Sequence, residues 1–137
     1  MAQLSKYLRS LEGGRLAYWC QGCEGLHQVA VGEGDGPRWG YNGNVESPTF
    51  TPSVLVTWDE PTNLHNPEKM QLDLAEAQRR REAGEQNVRV PVSGKICHTF
   101  ITDGIVSFLP DCTHRMAGMT LPLPVLPGEW CEEPQNV

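Results

Sequence analysis

The sequence contains no long apolar run. None of its segments approaches the roughly 18 apolar residues that a membrane-spanning helix requires, and residues 1–14 lack the apolar centre of a secretory signal peptide. Basic residues are also few, with 11 lysines and arginines against 17 acidic residues and a formal net charge of −6. This balance argues against generic binding to nucleic acid or anionic membranes. Together these absences favour an intracellular protein.

Common catalytic signatures are absent as well. The chain has no G-x-S-x-G, H-E-x-x-H or H-x-E…P-C-x-x-C pattern. Its glycine-rich segment at 32–37 lacks the lysine and the strand-to-helix setting of a phosphate-binding loop. The 14 glycines and 11 prolines favour short strands and turns over long helices. We expect the 137 residues to form one domain with a real core.

Hydrophobic periodicity predicts a β-rich single domain of the α+β class. Apolar residues of the first segment follow the i, i+3, i+4, i+7 spacing of one helical face, whereas most later segments are typical of short strands. Asn66 and Pro67 form a helix-start signal and Gly84 follows the helix end. The predicted segments are an N-terminal helix at 1–12, strands with a metal-binding turn at 15–58, a helical insertion at 59–87, a hairpin region at 88–124 and an extended tail at 125–137.

The strongest chemical pattern is WCQGC at 19–23. Structural zinc sites are commonly built from two separated ligand pairs, and Cys20 and Cys23 supply one pair on a glycine-containing turn similar to a zinc knuckle. A redox C-x-x-C pair should stand at a helix start, where the thiol pKa is lowered, but a strand is predicted to follow here. The pattern therefore favours a metal site over a redox pair.

A predicted β-hairpin supplies the second ligand pair. The Asp-Gly pair at 103–104 indicates a type I′ turn, and the register that follows makes Cys97 and Cys112 diagonal neighbours on one face. His114 points the same way, whereas His98 points to the opposite face. Cys131 has no partner motif and is interpreted as an unliganded thiol. The predicted ligands of one structural Zn²⁺ are four of Cys20, Cys23, Cys97, Cys112 and His114, with His27 and His98 either beside the ion or in a second site.

The histidines leave an alternative open. His27, His98 and His114 could surround a zinc ion with an open position, as in hydrolytic zinc sites, and Asp111 or Asp103 could orient one of them. The hairpin register opposes this arrangement, because His98 faces away from His114.

The segment ESPTFTPS at 46–53 has two interpretations. The prolines predict an extended strand entry, in which the hydroxyls of Ser47, Thr49, Thr51 and Ser53 cap turns. In the alternative, the segment forms one wall of a groove together with Trp39 and Tyr41.

Three stretches are distinctive when taken together: YWCQGCEGLH at 18–27, GPRWGYNGNVESPTFTPSVLV at 36–56 and CHTFITDGIVSFLPDCTHRMAGMTLPLP at 97–124. They cover about 60 residues of the chain and resemble a family of small bacteriophage and prophage proteins, some of which are labelled ammonia monooxygenase. The resemblance implies a phage setting and adds weight to the cysteines and histidines as a set. It supplies no activity.

These observations predict a zinc-stabilised bacteriophage accessory protein that acts by protein binding, as a virion component or host-directed factor, and is not an enzyme. Its expected location is the host cytoplasm or the virion. The expected partner is a phage or host protein or a second copy of the chain, and no membrane. The alternative is a zinc-dependent hydrolase that uses His27, His98 and His114. A weaker alternative is a nucleic-acid-binding zinc ribbon, which the scattered basic residues oppose.

Overall fold

The computed structural model describes residues 2–128, and within them it contains two β-sheets and one α-helix. In both sheets the spatial order of the strands follows the order of the chain. The first sheet comprises β1 (Ala2–Gln3), β2 (Arg9–Leu11), β3 (Arg15–Cys20) and β4 (Gly25–Ala30). The second sheet comprises β5 (Gly40–Tyr41), β6 (Phe50–Pro61), β7 (Val92–Thr102), β8 (Ile105–Phe108) and β9 (Thr120–Pro122). Helix α1 (Pro67–Glu82) follows β6 in the chain. The predicted β-rich fold with a helical insertion is confirmed.

The predicted helix over 1–12 is wrong, because β1 and β2 occupy this segment. The Ser5 hydroxyl turns the chain between the two strands: it accepts hydrogen bonds from the amides two and three residues later and donates one to the Val45 carbonyl at 2.7 Å. Leu8 is fully buried while Leu4 is 41% exposed, so the apolar stripe does not pack as one face. A helix of this length is marginal by itself, and pairing of β2 with β3 satisfies the backbone instead.

The predicted hairpin at 103–104 is confirmed. Asp103 and Gly104 both have positive φ, 51° and 74°, as a type I′ turn requires, and β7 pairs with β8 in the predicted register. The predicted continuation of that register to Cys112 is wrong, because β8 ends at Phe108. Pro110 has no amide proton with which to extend the ladder, and Cys112 lies in a turn that its own amide closes on the carbonyl three residues earlier.

Contacts divide the described chain into two compact units, one formed by residues 2–56 and 96–128 and the other by residues 57–95. The first unit has a core to which both sheets contribute, and Tyr18 stacks on Phe50 within it with ring centroids 6.1 Å apart. Three cysteines are part of this core, which places their sulphur atoms away from water. The buried cluster consists of Leu8, Leu16, Tyr18, Cys20, Val29, Phe50, Val54, Cys97, Ile101, Val106, Phe108, Cys112 and Leu123.

The second unit is organised around α1. The Asn66 side chain accepts a hydrogen bond from the Lys69 amide at 3.0 Å and so caps the helix start as predicted. Buried Asn63 donates to the Asp73 carboxylate at 2.9 Å, and Ala77 is the buried residue of the helix. The helix signals read from the sequence are therefore confirmed, although the apolar face of α1 is narrow.

The last described residues form β9 and an extended segment with buried Leu123 and Leu126. Cys131 and the rest of the predicted tail from 129 onwards lie outside the described residues. Among residues 2–128, no helix has both the length and the apolar character needed to cross a membrane.

Candidate active site and metal centre

Three polar side chains form a hydrogen-bonded chain in the first unit. The Ser53 Oγ atom lies 2.9 Å from His98 Nε2, and His98 Nδ1 lies 3.0 Å from Asp111 Oδ2. An ionised carboxylate can only accept, so Nδ1 carries the proton, and in the neutral imidazole Nε2 is then free to accept the hydrogen bond that the Ser53 hydroxyl donates. This connectivity is that of a Ser-His-Asp catalytic triad. We call these three residues the triad.

Two neighbouring strands place Ser53 and His98 side by side. Ser53 is on β6 and His98 is on β7, which is next to β6 in the sheet. Side chains alternate between the two faces of a strand. Val54 and Cys97 are buried in the core at 3% and 1% exposure, so Ser53 and His98 lie on the outward face. The predicted orientation of His98, away from Cys97, is confirmed.

Hydrogen bonds to the backbone hold the triad residues in place. The Trp39 indole donates to the Ser53 carbonyl at 3.2 Å, and the Leu109 amide donates to the His98 carbonyl at 2.9 Å. Asp111 is in the turn that follows β8. Ser53 and His98 are thus both held through main-chain atoms, which limits the positions that their side chains can take.

The triad is open to solvent. The His98 side chain is 24% exposed and that of Asp111 is 51% exposed, and the residues immediately before Ser53 are exposed as well. The triad therefore lies at the surface of the first unit and not in its core. Because Asp111 is hydrated, its carboxylate interacts less strongly with the imidazole than a fully buried carboxylate would.

A second cluster of side chains lies on the core side of β7, opposite to His98. One donor atom from each of Cys20, Cys23, His27 and Cys97 lies within 4.8 Å of the other three, so these residues could hold a metal ion. The turn between β3 and β4 brings the first two together, with the Glu24 amide donating to the Cys20 carbonyl at 2.8 Å.

The chemistry of the donor set fits a metal cation. Thiol hydrogen bonds from Cys23 and Cys97 lower the pKa of Cys20, and the hydrogen bonds to Cys20 raise the pKa of Cys23 and of Cys97. The cluster alone therefore favours ionisation of the Cys20 thiol and opposes ionisation of the Cys23 and Cys97 thiols. A bound cation would favour the thiolate form of all three cysteines. His27 Nε2 is buried without a hydrogen-bond partner, and a metal ion held by this cluster could supply one.

The structure places the remaining predicted ligands close to this cluster. His114 Nε2 lies 3.3 Å from Cys97 Sγ, and Cys97, Cys112 and His114 form a second set whose donor atoms lie within 4.8 Å of one another. The Cys112 sulphur, however, contacts the backbone of His98 at 3.2 Å and 3.3 Å. The predicted set is thus brought together, except that His98 belongs to the triad on the opposite face.

Sequence reasoning missed Ser53 as a functional residue. No nucleophile motif surrounds it, and the predicted role of its hydroxyl in capping a turn is wrong, because the hydroxyl faces His98. Thr49 does cap a turn, since its hydroxyl accepts from the Asp103 amide at 2.8 Å. Two features of the sequence could have pointed to Ser53. The three distinctive stretches each contain polar residues without an assigned role, and the alternative interpretation of ESPTFTPS placed Trp39 in a groove wall together with this segment.

Comparison with protein families identifies one match. A family model described as bacterial ubiquitination-like system serine protease (BubE) matches residues 3–109. Comparisons with curated proteins and with solved structures find no match.

The family match overturns the predicted function. A non-enzymatic bacteriophage accessory protein, with virion or host-directed protein binding, is wrong, because the matching family is described as a serine protease of a bacterial system. The zinc-dependent hydrolase alternative is not supported either: His98 contacts Ser53 and Asp111 rather than His27 and His114. The family match does not support the nucleic-acid-binding alternative either. The error arose because the triad is assembled from segments far apart in the chain, which leaves no local motif.

Proposed function

Because the chain belongs to the BubE family of bacterial ubiquitination-like system serine proteases, we propose that it is a serine peptidase whose nucleophile is Ser53. The observation that carries the proposal is the 2.9 Å contact between Ser53 Oγ and His98 Nε2, continued by the 3.0 Å contact between His98 Nδ1 and Asp111. A serine hydroxyl is a weak nucleophile unless a neighbouring base removes its proton. His98 is that base here.

The reaction follows from the positions of the three side chains. Ser53 Oγ attacks the carbonyl carbon of the scissile amide while its proton passes to His98 Nε2, and Asp111 keeps the proton on Nδ1 and stabilises the resulting imidazolium. The tetrahedral intermediate collapses when His98 returns the proton to the departing amine, which leaves an ester on Ser53. Water then attacks the ester with His98 again as base, releasing a carboxylic acid and restoring the hydroxyl.

The family description points to the substrate class. We propose a polypeptide substrate that belongs to a ubiquitination-like system, cleaved at an amide bond that is accessible on the open outward face. The proposed location is the bacterial cytoplasm, where thiols stay reduced. Four free cysteines within the described residues, Cys20, Cys23, Cys97 and Cys112, are consistent with such a compartment.

We further propose that the core cluster binds one structural Zn²⁺ through Cys20, Cys23, His27 and Cys97. The Cys20 and Cys97 sulphur atoms are 3.8 Å apart, which is about the edge of a tetrahedron with Zn–S bonds of about 2.3 Å. Three ligands come from the predicted set, and His27 takes the fourth place from Cys112 and His114. A closed four-ligand site joins the β3–β4 turn, which resembles a zinc knuckle, to β7 and contributes to folding stability.

Covalent labelling tests the nucleophile. We expect a fluorophosphonate probe to add once to the native protein at Ser53, as measured by intact mass and peptide mapping, and not to add to Ser53→Ala. Ser107→Ala is the matched control, because Ser107 is on β8 of the same sheet, its hydroxyl accepts a hydrogen bond from the Thr120 hydroxyl, and its loss should not affect labelling. A native protein that resists labelling, or Ser53→Ala labelled as fast as native, would contradict the assignment.

Metal analysis tests the second proposal. We expect about one zinc per chain in native protein, lost in Cys97→Ser and His27→Ala and retained in His114→Ala, because only the first two remove proposed ligands. Retention of zinc in His27→Ala together with its loss in His114→Ala would replace His27 by His114 as the fourth ligand.

A further inference from the structure

The triad and the metal cluster share a short stretch of backbone. Cys97, in the cluster, directly precedes His98, and Cys112 directly follows Asp111. His98 and Asp111 are therefore each adjacent in sequence to a cysteine that is buried in the core. The Cys112 side chain is 7% exposed and stands at the backbone of His98 from the core side.

The Cys112 sulphur binds both polar backbone atoms of the catalytic histidine. It accepts a hydrogen bond from the His98 amide at 3.2 Å and donates one to the His98 carbonyl at 3.3 Å. A neutral thiol is both a donor and an acceptor, so it can satisfy the two atoms at once. A metal-bound thiolate has no proton to donate and would stand against the carbonyl oxygen. This geometry separates Cys112 from the other cysteines of the core.

We propose that Cys112 is a positioning residue for catalysis, which acts as a neutral thiol through the backbone of His98 and not as a zinc ligand. The inference rests on the proposed function and deepens it. The Cys112 thiol contacts the His98 amide and carbonyl, and the Leu109 amide donates to the same His98 carbonyl at 2.9 Å. Together these contacts hold the backbone of His98 in place. Both contacts of the imidazole, to Ser53 and to Asp111, depend on where that backbone lies.

The expected effect follows from the weakness of one thiol hydrogen-bond pair. Loss of about one hydrogen bond's contribution corresponds to roughly a tenfold rate change, and small misplacements of catalytic groups have effects of this size or larger. We expect Cys112→Ala to lower kcat for hydrolysis of p-nitrophenyl acetate about tenfold. KM should change less than about twofold, because Cys112 does not contact substrate.

The experiment uses zinc-loaded full-length protein and four variants. Cys112→Ser retains a group that both donates and accepts, so kcat should return to within about threefold of the native value. Ile101→Val removes one buried methyl group from the same strand without touching His98, and it controls for loosening of the core. Ser53→Ala gives the background rate. The fourth variant is Cys112→Ala itself, with zinc content measured for each protein.

Nitrogen-15 NMR of the His98 ring supplies a readout that is independent of turnover. Native protein and Ile101→Val should show the Nδ1–H tautomer that the Asp111 contact requires, and Cys112→Ala should show a mixture of tautomers. Loss of zinc from Cys112→Ala would overturn the proposal by making Cys112 a ligand. Native kcat and a native ring spectrum in Cys112→Ala would overturn it too, as would an equal loss of kcat in Ile101→Val.

Failure of the proposed function has a different signature. If native protein and Ser53→Ala hydrolyse the ester equally, Ser53 is not the nucleophile. The ring spectrum then decides on the positioning role: an altered tautomer in Cys112→Ala alone supports it, and unchanged spectra in all variants overturn it.

Discussion

The substitution Asp111→Asn tests how much a hydrated carboxylate contributes to the triad. The carboxamide that replaces the carboxylate would be able to donate a hydrogen bond to His98 Nδ1, which would favour the tautomer with its proton on Nε2. In that tautomer Nε2 cannot accept the proton of Ser53. The substitution also removes the negative charge that stabilises the imidazolium.

The distance and the exposure of Asp111 set the magnitude. Unit charges 3.0 Å apart attract by about 1.4 kcal/mol at the dielectric constant of water and by about 5.5 kcal/mol at an effective value of about 20. The Asp111 side chain is 51% exposed, so an intermediate value of about 3–4 kcal/mol is appropriate. This corresponds to a rate loss of about 10²–10³-fold, smaller than the roughly 10⁴-fold loss known for a buried triad aspartate.

The assay is the second-order rate constant of fluorophosphonate labelling at Ser53, with zinc content and thermal unfolding measured in parallel. Asp35→Asn is the matched control, since Asp35 lies in an exposed loop and its loss should leave the rate unchanged. Labelling of Asp111→Asn within about threefold of the native rate, with the fold and the zinc intact, would refute the argument that Asp111 orients His98.

Three further predictions concern individual contacts. Trp39→Phe removes the indole hydrogen bond to the Ser53 carbonyl and should slow labelling several-fold, about one hydrogen bond's worth, with little change in melting temperature; an unchanged labelling rate would show that this bond does not position the nucleophile. Gly22→Ala would put a methyl carbon too close to the His114 ring for normal contact, so we expect displacement of that ring and a lower melting temperature with zinc retained; zinc loss would argue for His114 as a ligand. Asn66→Ala removes the cap of α1 and should lower the free energy of unfolding by about 1 kcal/mol in urea titrations, whereas an unchanged midpoint and slope would show that the cap does not contribute.

Local signals in the sequence predicted local structure well. The hairpin at 103–104 and the start of α1 at Asn66 both depend on backbone preferences of adjacent residues. The helix predicted for the N-terminal segment was wrong although the local signal was present. The apolar residues have a 3.6-residue spacing, but pairing with β3 stabilises strands instead. Periodicity indicates which side chains seek burial, and the partner that buries them lies elsewhere in the chain.

The metal cluster was partly predictable because its first pair is local. Cys20 and Cys23 share one turn, and Cys97 follows from strand alternation in the hairpin. The sequence analysis placed His27 beside the site rather than in it. His27 pairs with Tyr18 across the β3–β4 hairpin, and the sequence did not show that its ring turns towards the thiols. Cys112 lies near Cys97 as predicted, although a turn and not the predicted strand carries it there, because β8 ends at Phe108.

The sequence by itself determined the β-rich class, the helical insertion, the hairpin and the cysteine turn, because each depends on residues within a few positions of one another. Only the tertiary structure brings together the residues of the proposed catalytic site. Ser53, His98 and Asp111 come from two adjacent strands and a turn, and their contacts of 2.9 Å and 3.0 Å exist only once β6 lies beside β7. A hydroxyl, an imidazole and a carboxylate are common surface groups, and only the distances set by the folded chain fit them for the proposed roles of nucleophile, base and partner.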